Sequence, residues 1–156
     1  MKIVSEDEEV EIKLRNATSK DCSFLYTLHK ATMGEYVAKT WGWDEVFQQT
    51  HFIKHFSPES LQIVVAATAD IGCVSVTEKG GHLFLNKIEI LPAYQNRGIG
   101  TVLIRKIVEQ AENENKPVFL QVVKINERAK ALYERLGFSV YGETATHYQM
   151  RYTQEE

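Results

Sequence analysis

The sequence predicts an α/β (α+β) fold in which a mixed central sheet of about seven strands is flanked by four helices. Apolar runs of strand length alternate with segments whose apolar residues keep helical spacing. The run at residues 118–125 is nearly all apolar, which is typical of a strand buried on both faces. A strand, a helix and a strand follow one another in the middle of the chain, and this order indicates a parallel crossover.

The size and charge of the chain limit the number of domains, the partners and the location that can be expected of it. Its 156 residues suit a single domain over 1–156, in which we expect residues 1–9 to form a frayed acidic tail. A net charge of -3 gives no reason to expect a nucleic-acid partner. The chain opens on acidic residues, and no apolar run approaches the roughly 20 residues of a membrane span. We therefore expect a cytoplasmic protein with no membrane partner.

The first part of the chain predicts a strand and two helices. Residues 10–14 alternate apolar and charged side chains, as a strand with one buried face does. Asp21 is a suitable N-cap for the first helix, and a second helix is predicted over 44–56. The segment 34–45 around the helix junction holds both tryptophans and three acidic residues.

Three more strands are predicted after Pro58, and with the first strand they suggest an antiparallel meander. Hairpin turns are expected at Ala69 and Asp70 and at residues 79–81. The three strands cover residues 61–67, 71–77 and 83–91.

The second half of the chain predicts two helices and three strands. Residues 98–115 carry one broad apolar face, and the apolar strand 118–125 follows them. Asn126 and Gly137 are suitable caps for a short helix between them. The last two strands are predicted at residues 138–141 and 145–152.

The most informative segment is the glycine loop, residues 95–101, which lies between a predicted strand and a predicted helix. The first turn of a helix presents unpaired N–H groups and the positive end of the helix dipole. Glycines let a diphosphate approach those groups closely, and an arginine adds positive charge. A tight turn that binds no ligand is the alternative. The dinucleotide fingerprint fails because residue 103 is leucine, and no Walker sequence is present.

Two motifs resemble those of a known family. Residues 95–100, Gln-Asn-Arg-Gly-Ile-Gly, resemble the Gln/Arg-x-x-Gly-x-Gly/Ala pyrophosphate loop of the GNAT superfamily of N-acetyltransferases. Residues 126–138 resemble the family's Asn-x-x-Ala-x-x-Leu-Tyr-x-x-Leu-Gly-Phe segment. The element order is also similar to this family's, and together the likeness covers residues 11–152. The resemblance implies a GNAT-like acyl-CoA N-acyltransferase fold with acetyl-CoA as cosubstrate.

The resemblance also implies which residues hold acetyl-CoA. In this family the fourth and fifth strands splay apart, the pantetheine arm pairs with strand backbone in the gap, and the pyrophosphate lies on the glycine loop. The residues so implied are Ile88, Ile90, Leu91, Gln95, Asn96, Arg97, Gly98, Ile99, Gly100, Thr101 and Asn126.

Direct attack of an amine on the thioester is the implied chemistry, and its acid is implied to be Tyr133. A phenol has a pKa of about 10, so it stays protonated at neutral pH and can donate to the leaving thiolate. The alternative is that Tyr133 only belongs to the apolar face of its helix.

The base is left open by the resemblance. Related enzymes often carry Glu or His at the positions of Asn86 and Phe84, and some protein N-terminal acetyltransferases carry Glu at that of Gln121. Asn86 could position a water or the amine. Glu89, the only acid of the fourth strand, is either catalytic or structural. No metal is expected, because the cysteines and histidines lack metal-ligand spacing.

The acceptor pocket is implied to lie at the first two helices, where the substrate residues are Glu35, Tyr36, Trp41 and Trp43. Acids attract a cationic amine, and an indole face can hold an ammonium group. The alternative is that the tryptophans pack the helix junction and the acids are caps or solvated surface.

The sequence thus predicts an N-acetyltransferase that moves an acetyl group from acetyl-CoA to a primary amine, with a small molecule as the expected acceptor. A protein N-terminal or lysine acetyltransferase is the first alternative, and an open groove beside Trp41 and Trp43 would favour it. An acyl-CoA-binding regulator without turnover is the second. The resemblance also allows a homodimer through the C-terminal strands.

Overall fold

The computed structural model of the protein describes residues 2–4 and 9–153. These residues form eight strands and four α-helices. The strands are β1 Lys2–Val4, β2 Glu9–Asn16, β3 Gln62–Ala66, β4 Ala69–Lys79, β5 His82–Ile90, β6 Val118–Val123, β7 Ser139–Glu143 and β8 His147–Tyr152. The helices are α1 Cys22–Trp41, α2 Glu45–Lys54, α3 Ile99–Asn113 and α4 Glu127–Arg135.

The strands form one mixed sheet in the order β1-β2-β3-β4-β5-β6-β8-β7. Antiparallel pairing joins β1 to β2, β2 to β3, β3 to β4, β6 to β8 and β7 to β8. In contrast, β5 pairs with β6 in parallel, with Leu83 opposite Val118 and Leu85 opposite Leu120. The predicted mixed sheet with four helices and the crossover through α3 are confirmed.

Strand β1 is the element that the sequence did not predict. It pairs with the start of β2, where Lys2 lies opposite Glu11 and Val4 opposite Glu9. The expectation of a frayed tail over 1–9 is therefore wrong for residues 2–4 and 9. The rest of that tail lies outside the described residues.

The described chain separates into two compact units. The first unit comprises residues up to Ser75 together with Lys87–Ile99, and the second comprises Val76–Asn86 together with residues from Gly100 onward. The prediction of a single domain over 1–156 stays a prediction.

The core of the first unit lies where α1 packs on the strands. Leu25 and Leu28 point inward from one face of α1, as their helical spacing predicts, and meet Ile63 and Cys73. Asp21 precedes α1 as predicted but makes no side-chain cap bond to it. The N-cap position of Asp21 is confirmed, but its carboxylate accepts from the Thr18 backbone N–H and pairs with Arg15.

The core of the second unit is built from α3, β6 and the residues that follow them. The side chains of the apolar face predicted over residues 98–115 are all buried or half-buried in α3. Ile104, which is 1% exposed, also belongs to this face. Val118, Leu120 and Val122 are buried and share one face of β6. On the opposite face Phe119 is half-buried, Gln121 is exposed and Val123 is buried, so the prediction of a strand buried on both faces is wrong at Gln121. Because β6 ends at Val123, Ile125 lies in a turn and is 45% exposed, which corrects the predicted strand end.

Two further boundaries differ from the prediction. Helix α1 continues through residues 34–41 and ends at Gly42, whose φ of 81° no β-branched or bulky residue adopts readily. The first hairpin turn lies at Ala67 and Thr68 rather than at Ala69 and Asp70, and Ala67 takes a φ of 54° there. No helix in the described part of the chain has both the length and the apolar character needed to cross a bilayer.

Candidate active site

The glycine loop has the backbone shape that its composition predicts. After β5, a short 3-10 turn leads to Asn96 and Gly98, which take φ angles of 63° and 82°. These left-handed conformations turn the chain from the strand into α3, and glycine adopts them without steric cost. The Gln95 side chain supports the turn, since its Nε2 donates to the Ile90 carbonyl oxygen at 2.8 Å.

The start of α3 leaves room for a ligand. A β-carbon added at Gly98 or Gly100 would meet no atom within 4 Å. The Arg97 guanidinium is exposed and lies 5.3 Å from the centre of the Tyr94 ring, which holds its charge beside the loop. Open space, the first-turn N–H groups of a helix and a nearby cation together fit a diphosphate. Thr101 is half-buried in the first turn of α3, and Ile99 is buried in the core.

The strand residues expected to bind pantetheine differ in what their backbones offer. The Leu91 N–H donates to the Ile71 carbonyl at 2.8 Å, and the Leu91 carbonyl accepts from the Tyr94 N–H at 2.8 Å. Both backbone groups of Leu91 are therefore engaged within the protein. Ile88 and Ile90 precede it at the end of β5, half-buried and buried respectively.

Tyr133 lies on α4, whose first turn is capped as predicted. The Asn126 side chain accepts a 3.1 Å hydrogen bond from the Ala129 N–H, and Gly137 follows the helix with a φ of 97°. The Tyr133 ring is 8% exposed and meets Phe138 edge-on at 5.8 Å. Burial raises the pKa of Tyr133 to about 12, so the phenol stays protonated over the working pH range.

The Tyr133 hydroxyl makes no hydrogen bond to any other described residue, so its proton is available for donation. The cap, by contrast, occupies the Asn126 side-chain oxygen. The amide nitrogen of that side chain is its donor for the contact to acetyl-CoA that the resemblance implies.

Asn86 is exposed on β5, and its amide donates to Thr77 Oγ1 at 3.1 Å and to the Phe84 carbonyl oxygen at 3.4 Å. Gln121 is exposed on β6, opposite Gln149 of β8. Neither amide can act as a general base, as the sequence analysis anticipated.

Glu89 is a buried acid of the first unit, with 6% of its surface exposed. Its Oε2 lies 2.9 Å from Nδ1 of His29 on α1, and its Oε1 lies 3.9 Å from Sγ of Cys73 on β4. Burial, reinforced by the Glu89 charge, raises the pKa of Cys73 to about 12, so that thiol is unreactive at neutral pH.

His29 is the residue that the sequence analysis missed, because it found no partner for this side chain. The two residues of the pair are 60 positions apart, and no local pattern joins them. A signal was present: His29 lies four residues after Leu25, at the edge of the buried face of α1.

The acids expected to attract an amine are paired with protein groups. Glu45 accepts hydrogen bonds from Trp43 Nε1 at 2.7 Å, Lys30 Nζ at 2.8 Å and Tyr26 Oη at 3.0 Å. These donors, Lys30 foremost, lower the pKa of Glu45 to about 2. The Lys30 ammonium also lies over the Trp43 ring, 5.9 Å from its centre, so the indole face already contacts a cation of the protein.

The remaining acceptor candidates lie on α1. Glu35 forms an exposed ion pair with Lys39 at 2.8 Å, and Lys39 lowers the pKa of Glu35. Tyr36 is half-buried, and Trp41 is 58% exposed. Among the described residues no group of three or more His, Cys, Asp or Glu side chains is arranged to hold a metal ion.

Comparison with known proteins points to one family. The model of the Acetyltransferase (GNAT) family matches residues 23–138. The uncharacterized N-acetyltransferase YobR of Bacillus subtilis is 37% identical over 101 residues, which are 64% of this chain and 36% of that protein. A thialysine N-epsilon-acetyltransferase of Mus musculus is 39% identical over 62 residues, 39% of this chain and 36% of that protein. The chain thus spans little more than a third of either relative.

A solved structure has the same fold. The PaiA N-acetyltransferase of Thermoplasma acidophilum, in complex with coenzyme A, superposes with a TM-score of 0.76 at 16% identity. The superposition covers 92% of this chain and 99% of that one. This likeness confirms the predicted GNAT-like architecture.

Proposed function

This chain belongs to the Acetyltransferase (GNAT) family, and we propose that it transfers the acetyl group of acetyl-CoA to a primary amine on a small molecule. The observation that carries the proposal is the glycine loop, where left-handed backbone and open space precede α3. Direct attack in a ternary complex is the proposed course, because the buried Cys73 thiol, with its raised pKa, is not suited to form an acyl-enzyme.

Acetyl-CoA is proposed to bind through its diphosphate to the glycine loop. The loop residues are Gln95, Asn96, Arg97, Gly98, Ile99, Gly100 and Thr101. The N–H groups of the first turn of α3 would donate to the phosphates, and Arg97 would balance their charge. The backbone of Ile88 and the Asn126 amide are proposed to hold the pantetheine arm. Leu91 is a weaker candidate, since both its backbone groups are already bonded.

Tyr133 is proposed to donate a proton to the sulfur of the leaving group. Its hydroxyl makes no hydrogen bond within the described chain, and its raised pKa keeps it protonated. A thiolate that leaves beside such a donor needs no solvent proton at the moment of bond breaking. Asn86 is proposed to orient the amine or a water, because an amide can donate and accept but cannot ionise.

The acceptor is proposed to lie against Tyr36, Trp41 and Trp43, with Glu35 at the edge of the site. Because Lys39 and Lys30 pair with the acids there, we expect aromatic contacts rather than ion pairs to hold the acceptor. The mouse relative is a thialysine N-epsilon-acetyltransferase, which supports an amine on a small molecule as acceptor class. The cytoplasmic location, independence from metal and homodimer stay predictions from the sequence.

A thiol-release assay with acetyl-CoA tests the function. The panel contains polyamines, amino acids, aminoglycosides, and peptides with free N-termini or lysines. We expect turnover of a small amine and none of the peptides. Turnover of peptides alone would replace this proposal by a protein acetyltransferase. Tight acetyl-CoA binding without thiol release from any amine would indicate a regulator.

A further inference from the structure

The first unit contains a histidine and an acid arranged as a base and its orienting group. Nδ1 of His29 lies 2.9 Å from Oε2 of Glu89, within hydrogen-bond distance. A carboxylate only accepts hydrogen bonds, so the proton of the neutral ring is on Nδ1 and Nε2 carries the lone pair. The same arrangement fixes the base in catalytic triads.

The surroundings of the ring are mostly apolar. Phe52 of α2 stacks on the imidazole with ring centres 5.9 Å apart. The titratable and charged groups near the imidazole are Glu89 itself, Cys73 of β4 next to that carboxylate, and Lys87 of β5. The Lys87 ammonium lies 5.7 Å from the centre of the Phe52 ring. The thiol stays neutral, so the carboxylate is the dominant charge beside the imidazole.

Exposure differs between the two partners. The Glu89 side chain is 5% exposed, whereas that of His29 is 24% exposed. Nε2 of His29 makes no hydrogen bond to any other described residue. A buried carboxylate requires a partner, and Nδ1 of His29 meets that need, which leaves Nε2 as the ring nitrogen that can contact another group.

The place of the pair along the chain also fits the chemistry. Glu89 is flanked in β5 by Ile88 and Ile90, two of the residues that the resemblance implies to lie along pantetheine. The positions where a family base was expected hold Asn86 and Gln121, neither of which can take a proton. The missing base is thus accounted for by a residue from α1.

We propose that Nε2 of His29 is the general base for the acceptor amine and that Glu89 is the positioning residue for its ring, an inference that rests on the proposed function. The neutral amine nitrogen bonds to the acetyl carbon as the C–S bond breaks, and the electron pair leaves on sulfur. The nitrogen gives a proton to His29, and sulfur takes one from Tyr133. Transfer of one proton from the imidazolium to the phenolate through solvent restores both groups.

The test compares His29→Gln and Glu89→Gln with the wild-type protein in the thiol-release assay, with the best amine of the panel. We expect His29→Gln to lower kcat/KM by about 100-fold or more while acetyl-CoA affinity is unchanged. The fall of kcat/KM at acidic pH that is expected of the wild-type protein should be absent from this variant. Glu89→Gln keeps an acceptor for Nδ1 but removes the carboxylate. The fall in kcat/KM should be smaller than in His29→Gln, and it should lie in kcat rather than in KM for acetyl-CoA.

The matched control is His82→Gln, since His82 is also half-buried and packs edge-on against Phe119 at 4.9 Å. Thermal unfolding and acetyl-CoA titration report whether each variant is folded. Wild-type kcat/KM and pH profile in His29→Gln would overturn this inference and leave the proposed function standing. If His29→Gln does not fold, wild-type kcat in Glu89→Gln overturns it. Absence of thiol release from wild-type protein overturns both.

Discussion

Gly72 and Glu89 approach so closely that a β-carbon on Gly72 would lie 2.3 Å from the Glu89 carbonyl oxygen. The same β-carbon would lie 2.8 Å from Cδ1 of Ile90. No side chain larger than hydrogen fits there without displacing backbone. The glycine therefore lets β4 pass beside the segment of β5 that carries the His29 partner.

We expect Gly72→Ala to lower the free energy of unfolding by about 1–3 kcal/mol, because the methyl group must displace strand backbone. Urea unfolding measures the change. The control is Gly34→Ala in α1, where the new β-carbon would meet Lys30 Cγ at 3.7 Å and Trp43 Cζ3 at 3.9 Å, which are ordinary contacts. Alanine there should stabilise the helix by about 0.5–1 kcal/mol. Equal effects of the two substitutions would contradict the close approach.

Much of the fold followed from local pattern. The apolar spacing of α3, the continuous apolar run of β6 and the caps Asn126 and Gly137 each involve residues within a few positions of one another. Backbone geometry acts over that range, so the sequence predicts such features directly. The glycine loop was predictable for the same reason.

The charged pairs were not predictable, because they join distant segments. His29 and Glu89 are 60 positions apart, and Arg15 and Asp70 are 55 apart. Glu45 belongs to the segment whose acids were expected to attract an amine, yet three donors from α1 and the helix junction surround it. Packing of α1 on the strands and on α2 brings the partners of His29 and Glu45 together, and pairing of β2 and β4 with β3 brings Arg15 to Asp70.

Tyr133→Phe tests the acid of the proposed reaction. We expect kcat to fall by about 100-fold while KM for acetyl-CoA stays the same, because only the proton donor is lost. Phenylalanine keeps the edge-on packing against Phe138, so the melting temperature should change little. Steady-state thiol release measures both constants. In the control Tyr152→Phe, which removes a hydroxyl that donates to Glu112, activity should persist. Full activity in Tyr133→Phe would refute the acid role.

Gly100→Ala should stabilise the free protein and weaken acetyl-CoA binding. Alanine is favoured over glycine in a helix by about 0.5–1 kcal/mol, and its β-carbon meets nothing within 4 Å in the free protein. The methyl group would, however, occupy space where the diphosphate is proposed to approach α3. Thermal unfolding and calorimetric titration with acetyl-CoA measure the two opposite effects. Unchanged affinity would argue against diphosphate binding at this turn.

Gly98→Ala should weaken binding for a different reason, and it should also destabilise the protein. Its φ of 82° costs a residue with a β-carbon about 1 kcal/mol. Gly81→Ala is the matched control, because Gly81 has a φ of 88° and an equally open surrounding in the β4–β5 hairpin. Both variants should have a lower melting temperature than the wild-type protein. Only Gly98→Ala should lose affinity for acetyl-CoA in calorimetric titration.

Asp21→Asn should destabilise the protein at neutral pH but not at strongly acidic pH. Hydrogen bonds from Arg15 at 2.8 and 3.0 Å, with one from the Thr18 N–H, lower the pKa of Asp21 from 3.8 to about 2. A carboxyl group whose pKa is depressed stabilises the folded state at pH values above its ordinary pKa, and this contribution is lost as the pH falls towards 2. Because Arg15 is 40% exposed and partly screened, we expect about 1–2 kcal/mol. Urea unfolding between pH 7 and pH 2 should show the difference from wild type shrinking below pH 4. Asp70→Asn, which removes the more exposed partner of Arg15, should cost less, and a pH-independent loss in Asp21→Asn would contradict the ionic origin.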